Sequence, residues 1–167
     1  GLLNFLCRAV QPGRAFLHRL IVLTRGVNHP KQLIKLDVGA KAVLGIWLQF
    51  LQDFNGTSMM LPADWLHSDV ILLYSDSCKT IGCGAFYGNR WFQARWLELS
   101  ISSGHSVAFL ELVPIVLAVL VWGEQLANSK LIFNCDNQAV VRIINRQSSK
   151  CPHIMKLVRR LTFACLK

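Results

Sequence analysis

Three acidic side chains of this chain stand in surroundings where acids are costly. Asp76 follows the apolar run Val70-Ile71-Leu72-Leu73-Tyr74. Glu111 lies within the apolar stretch from Val107 to Trp122, and Asp136 closes the run Leu131-Ile132-Phe133-Asn134-Cys135. Carboxylates gathered at one place repel one another, which raises a pKa or destabilises the fold unless a cation intervenes. Mg²⁺ suits such a site, because it takes oxygen ligands, needs few protein carboxylates and keeps waters and phosphate oxygens for the rest. Two such ions about 4 Å apart activate a water and stabilise the leaving oxygen of a phosphodiester. Each acid also has a plainer reading. An Asp at a strand end often serves a turn, Asp136-Asn137 can cap the next helix, and Glu111 can pair with a Lys or Arg.

For the acids to meet, the elements that carry them must share an edge. Val70–Tyr74 is too short for a helix and suits a buried strand ending at Ser75-Asp76-Ser77. Gly82 to Tyr87 and Trp91 to Trp96 read as two further strands around a Gly88-Asn89 turn, giving an antiparallel meander. Ser106 can cap the long apolar helix, near whose start Pro114 falls. Leu131–Cys135 reads as a strand, Asn137 to Ile144 as a helix, and a last helix begins at Pro152. A strand that follows such a helix usually runs parallel to an earlier one by a right-handed crossover, and ligands collect at the strand ends of such sheets. The expected fold is therefore α/β, a mixed sheet in the order β-β-β-α-β-α.

Before this region the pattern is helical. Leu2, Leu3, Leu6 and Val10 form one face, Gln11-Pro12-Gly13 a break, and Ala15, Phe16, Leu20 and Leu23 a second helix. After Gly26–Pro30, Asp37 can cap a third helix striped by Ala40, Val43, Leu44, Trp47, Leu48 and Leu51. The expected division is a helical segment over 1–56, a linker over 57–69, and an α/β domain over 70–167, incomplete at its C-terminus because the last helix reads as cut.

Eighteen Lys and Arg against nine Asp and Glu give a net charge of +9, which suits an anionic partner such as nucleic acid. After Asp136 no acid follows, while Arg142, Arg146, Lys150, Lys156, Arg159, Arg160 and Lys167 do. The six cysteines form no C-x-x-C pair, which argues against zinc, and Cys83 and Cys135 read as small core residues. A carboxylate within Val107–Trp122 argues for a buried helix rather than a membrane span. No secretory signal is visible, so the expected setting is intracellular, nucleus or cytoplasm being open. His105 and His153 read as loop residues, and Trp91 and Trp96 as core rather than stacking platforms.

The segments Leu73-Tyr74-Ser75-Asp76-Ser77, Gly82-Cys83-Gly84-Ala85, Glu111-Leu112-Val113-Pro114-Ile115, Trp122-Gly123 and Cys135-Asp136-Asn137-Gln138-Ala139-Val140-Val141, in that order and spacing, resemble the ribonuclease H-like domain of retroelement reverse transcriptases. The resemblance is strongest to DIRS-type retrotransposons. Gly1-Leu2-Leu3-Asn4-Phe5, Val10-Gln11-Pro12-Gly13-Arg14, Trp47-Leu48-Gln49-Phe50-Leu51 and Phe54-Asn55-Gly56 resemble the thumb and connection that precede that domain. The resemblance implies a nuclease that cuts the RNA strand of an RNA–DNA hybrid with two Mg²⁺ ions, Mn²⁺ being a substitute, as part of a reverse transcriptase polyprotein. It makes Asp76, Glu111 and Asp136 both metal ligands and catalytic residues. The family's fourth ligand, an Asp on a later helix, has no counterpart before Lys167, so impaired activity is expected.

Nucleic-acid contacts are expected from Ser77 and Asn137, beside the acids, and from Arg142, Arg146, Lys150, Arg159 and Arg160 on phosphates. For Ser77 and Asn137, a turn hydroxyl and a helix cap are equal alternatives. Two other functions stay open: a non-catalytic nucleic-acid-binding or tethering module, and an inactive retroelement remnant.

Overall fold

The computed structural model describes residues 1–29, 31–52, 65–97, 104–127 and 129–166. The chain divides into two compact units, Gly1–Met60 and Leu61–Lys167.

In the first unit, α1 (Leu2–Leu6) leads to a single 3-10 turn over Gln11–Gly13 and then α2 (Arg14–Leu23) and α3 (Val38–Gln52). The expected break at Gln11-Pro12-Gly13 is thus a turn that feeds directly into α2, since proline fits a helix start, where its missing N–H is not needed. Gly13 lies beneath the Trp47 ring, so any side chain there would overlap the indole. Asp37 caps α3 through its carboxylate on the Ala40 N–H at 2.6 Å, and Arg19 Nη2 donates to its other oxygen at 2.9 Å. The Arg19 guanidinium and the Ala40 N–H hold that carboxyl below its usual range. Of the expected stripe, Ala40, Val43 and Trp47 are buried while Leu44, Leu48 and Leu51 stay exposed, so the covered face is narrower than the apolar one.

The second unit carries β1 (Trp65–His67), β2 (Leu73–Cys78), β3 (Gly82–Tyr87), β4 (Arg90–Arg95), α4 (Val107–Trp122), β5 (Lys130–Ile132), α5 (Gln138–Arg146) and α6 (Pro152–Ala164). It is a mixed α/β unit. The meander is present, β2 pairing antiparallel with β3 and β3 with β4, around a turn in which Gly88 adopts φ +61°. The strand after α4 does run parallel to an earlier one, but its partner is β1, in the stretch read as linker. Among the described residues the strands form two sheets, β1-β5 and β2-β3-β4, rather than one.

Two strand boundaries differ from expectation, each because backbone N–H groups find acceptors outside the ladder. Val70 and Ile71 turn back to donate to the His67 carbonyl, at 3.0 and 3.3 Å, and Leu72 takes a left-handed φ of +52°, so β2 starts at Leu73. β5 stops at Ile132 because the Asn134 N–H goes to the Ser68 Oγ at 3.2 Å instead of a ladder carbonyl. A side-chain acceptor has replaced the backbone one, as short polar side chains readily do.

Ser106 caps α4 as expected, its Oγ accepting from the Phe109 N–H at 3.3 Å. The helix runs through Pro114 and buries Leu110, Leu112, Pro114, Ile115, Val116, Ala118 and Trp122. It packs on β2, β3 and α6. Leu73, Ala85, Ala118, Trp122 and Leu126 form the core there, with Tyr87 and Phe92 both 5.5 Å from the Trp122 ring. No helix among the described residues is long and apolar enough to cross a membrane.

Candidate functional site

Asp76 lies within β2, opposite Gly84, rather than at a strand end. Side chains alternate along a strand, so Asp76 shares the exposed side with Tyr74 and Cys78. Its neighbour Ser77 is half-buried, on the side covered by α4. One Asp76 oxygen accepts from the Ser77 N–H at 2.7 Å. The Ser77 side chain also lies close enough to the Glu111 carboxylate to favour its ionised form. Ser77 is thus placed to orient that carboxylate.

Glu111 occupies the second turn of α4 and is half-buried. Burial pushes its pKa up, the Ser77 side chain opposes this, and the charges of Asp76 and Asp136 push it up further. Glu111 therefore senses the other two acids, although the three come from β2, α4 and the segment after β5. Asp76 and Asp136 line one open cleft of about 490 Å³ with Ser75, Asn134 and Cys135.

The cleft owes its position to Ser68, which falls in the stretch the sequence pattern reads as linker. Ser68 is 1% exposed. Its N–H donates to the Ile132 carbonyl at 2.8 Å and its carbonyl accepts from the Leu73 N–H at 2.9 Å. Its Oγ accepts from the Asn134 N–H, while Asn134 Nδ2 donates to Asp69 at 2.9 Å. One serine thus ties the segment leading to Asp136 to the start of the strand carrying Asp76. Its signal in the sequence is a Ser-Asp pair beside a short strand, which alone is indistinguishable from a surface turn.

Asn137 caps α5, its Oδ1 accepting from the Ala139 and Val140 N–H groups at 3.0 and 3.2 Å. This is the helix-cap alternative, and it commits that oxygen. The cap sets Asp136 at the positive end of a helix, which favours a carboxylate there. Arg142 and Arg146, one turn apart on α5, are exposed, as are Lys150 and Arg160, whereas Arg159 is half-buried.

The donor chemistry favours a hard cation. Cys83 and Cys135 lie close enough to feel Glu111, and burial together with that charge pushes both thiols up, so they stay protonated and poor ligands. The carboxylate oxygens remain, and oxygen donors suit Mg²⁺ or Mn²⁺. As placed, no grouping of three or more His, Cys, Asp or Glu among the described residues is close enough to hold a metal ion.

All six cysteines are free thiols, Cys83 buried and Cys135 half-buried. His153 lies in the first turn of α6, with its ring 5.4 Å from that of His105, which stacks on Phe109 at 4.1 Å. Trp96 is half-buried and its indole N–H donates to the Cys78 carbonyl at 2.7 Å. Trp91 is 68% exposed and is not a core residue, because β4 turns it to the side that α4 does not cover. Phe54-Asn55-Gly56 lies outside the described residues. No family model, curated protein or solved structure matches this chain.

Proposed function

We propose that this chain is the ribonuclease H-like part of a retroelement reverse transcriptase, hydrolysing the RNA strand of an RNA–DNA hybrid. The observation that carries the reading is the placement of Asp76 and Asp136 along one cleft, with Glu111, on a third element, near enough for both charges to raise its pKa. Acids so placed raise the cost of ionising Glu111, and a bound cation relieves it. The motif order given above supports the family, and DIRS-type elements within it.

Asp76, Glu111 and Asp136 would hold Mg²⁺, or Mn²⁺ in its place. Bound there, the metal supplies an activated water and a stabilised leaving oxygen. The remaining work belongs to the chain. Ser77 holds the Glu111 carboxylate in orientation, and the Asn137 cap fixes the segment bearing Asp136. Arg142, Arg146, Lys150 and Arg160 offer exposed cations to a phosphate backbone, positioning a duplex without reading its sequence. Arg159, half-buried, has less to offer.

A second reading, a non-catalytic nucleic-acid-binding module, is favoured by the open spacing of the acids. One experiment separates the two. A labelled RNA–DNA hybrid is incubated with the chain and Mg²⁺ or Mn²⁺, beside Asp136→Asn. Cleavage by the wild type that the variant loses supports hydrolysis. Salt-sensitive binding without cleavage in either would leave only the binding module.

A further inference from the structure

The side of the β2-β3-β4 sheet turned away from α4 carries a row of rings. Tyr74 pairs directly with Phe86, and Phe86 with Trp91, so the three stand abreast across three strands. They are 45%, 40% and 68% exposed. With strands about 4.8 Å apart the row is about 10 Å long. Exposed large aromatics gathered in one patch mark a contact surface.

The next two rows say what kind. They read Asp76–Gly84–Gln93 and Cys78–Gly82–Arg95. The central positions have no side chain, and a Cβ on Gly82 would meet the Ala94 carbonyl. A shallow hollow of about 540 Å³ results, lined by Tyr74, Asp76, Gly82, Gly84, Phe86 and Arg95 among others. Arg95 on this side and Lys79 in the β2-β3 turn are both exposed. Neither makes an ion pair among the described residues. Asp76 is the one acid in these rows. An apolar helix would want an unbroken greasy patch. Flat rings beside a low hollow, rimmed by cations, suit flat ligands strung on a negative backbone.

We propose that this open sheet face binds unpaired nucleotides of single-stranded nucleic acid. Bases stack on Tyr74, Phe86 and Trp91, and phosphates meet Arg95 and Lys79. Stacking on aromatic side chains with cations tracking the backbone is the general means of holding a single strand. The inference goes beyond hydrolysis and does not depend on a metal. It joins the candidate site only through Asp76, which places a bound strand beside the cleft.

The test uses the full chain in chelator, with fluorescein-labelled oligo-dT and oligo-rU of about 15 nucleotides, read by anisotropy. Both are expected to bind, more weakly as salt rises. Trp91→Ala and Phe86→Ala should each weaken binding about tenfold, with unchanged melting temperature, and Arg95→Ala should flatten the salt dependence. Absence of oligonucleotide binding, or wild-type affinity in both aromatic variants, overturns the proposal. So does concentration-dependent dimerisation abolished by Trp91→Ala, which would assign the face to a second copy of the chain. Chelator silences any hydrolysis, so failure of this proposal and failure of the nuclease reading appear in separate assays.

Discussion

The two faces of the β2-β3-β4 sheet are built from interleaved residues of similar type and meet opposite fates. Leu73, Ala85 and Phe92 lie against α4 and its Trp122, whereas their chain neighbours Tyr74, Phe86 and Trp91 face outward. Both sides carry apolar side chains. What differs is cover: α4 lies over one face, and no described element of the second unit does the same for the other. A strand with apolar side chains on both faces does not declare which face is core, and the difference here is set by where a helix sixteen residues long comes to rest.

Removing one tryptophan from each side tests this contrast most sharply. Trp122→Ala should cost about 3–5 kcal/mol in denaturant unfolding, while Trp91→Ala should stay within about 0.5 kcal/mol. Comparable losses would mean that the outer face is packed after all. A smaller effect is expected where the two faces meet, at the β2 edge. Ser68→Ala leaves the Asn134 N–H without its acceptor and should cost about 1–3 kcal/mol, with Asp136 freed relative to Asp76. An unchanged unfolding curve would remove Ser68 as the tie.

The smallest effect concerns charge on the covered face. Burial, then the neighbouring acids, raises the Glu111 pKa, so the folded chain holds that proton more tightly than the unfolded one. Stability therefore falls as pH rises from the ordinary carboxylate value, 4.5, through the raised folded one. Without divalent cations, Glu111→Gln should melt slightly above the wild type at pH 7, and the gap should close in acid below that window. A gap that widened in acid would show that ionised Glu111 is stabilised by a partner rather than strained.

Much of this is legible in the chain itself. Asp76, Glu111 and Asp136 stand out because ionised groups are rare inside apolar runs, and that rarity needs no structure to be seen. Ser106, Asn137 and Asp37 are legible as caps because a cap acts within one helical turn. The Gly88-Asn89 turn and the meander are legible for the same reason, locality. The register is not. Val70 to Leu72 look like strand but turn, since the Val70 and Ile71 N–H groups find His67 rather than a neighbouring strand. Trp65–His67 look like linker but pair with β5, which lies beyond the meander and the whole of α4 along the chain. Trp91 looks like core because a large ring usually is.

By itself, the sequence determined an α/β second unit after a helical first one, three costly acids on three separate elements, and an excess of basic residues. These follow from composition and from interactions within a few residues. Only the tertiary structure decided that Ser68 joins the two acid-bearing segments, that Asp76 and Ser77 part to opposite sides of β2, and that a row of aromatics stays open. Each of these depends on which distant segment supplies a hydrogen-bond partner or a covering face, and that choice is made by packing of the whole unit.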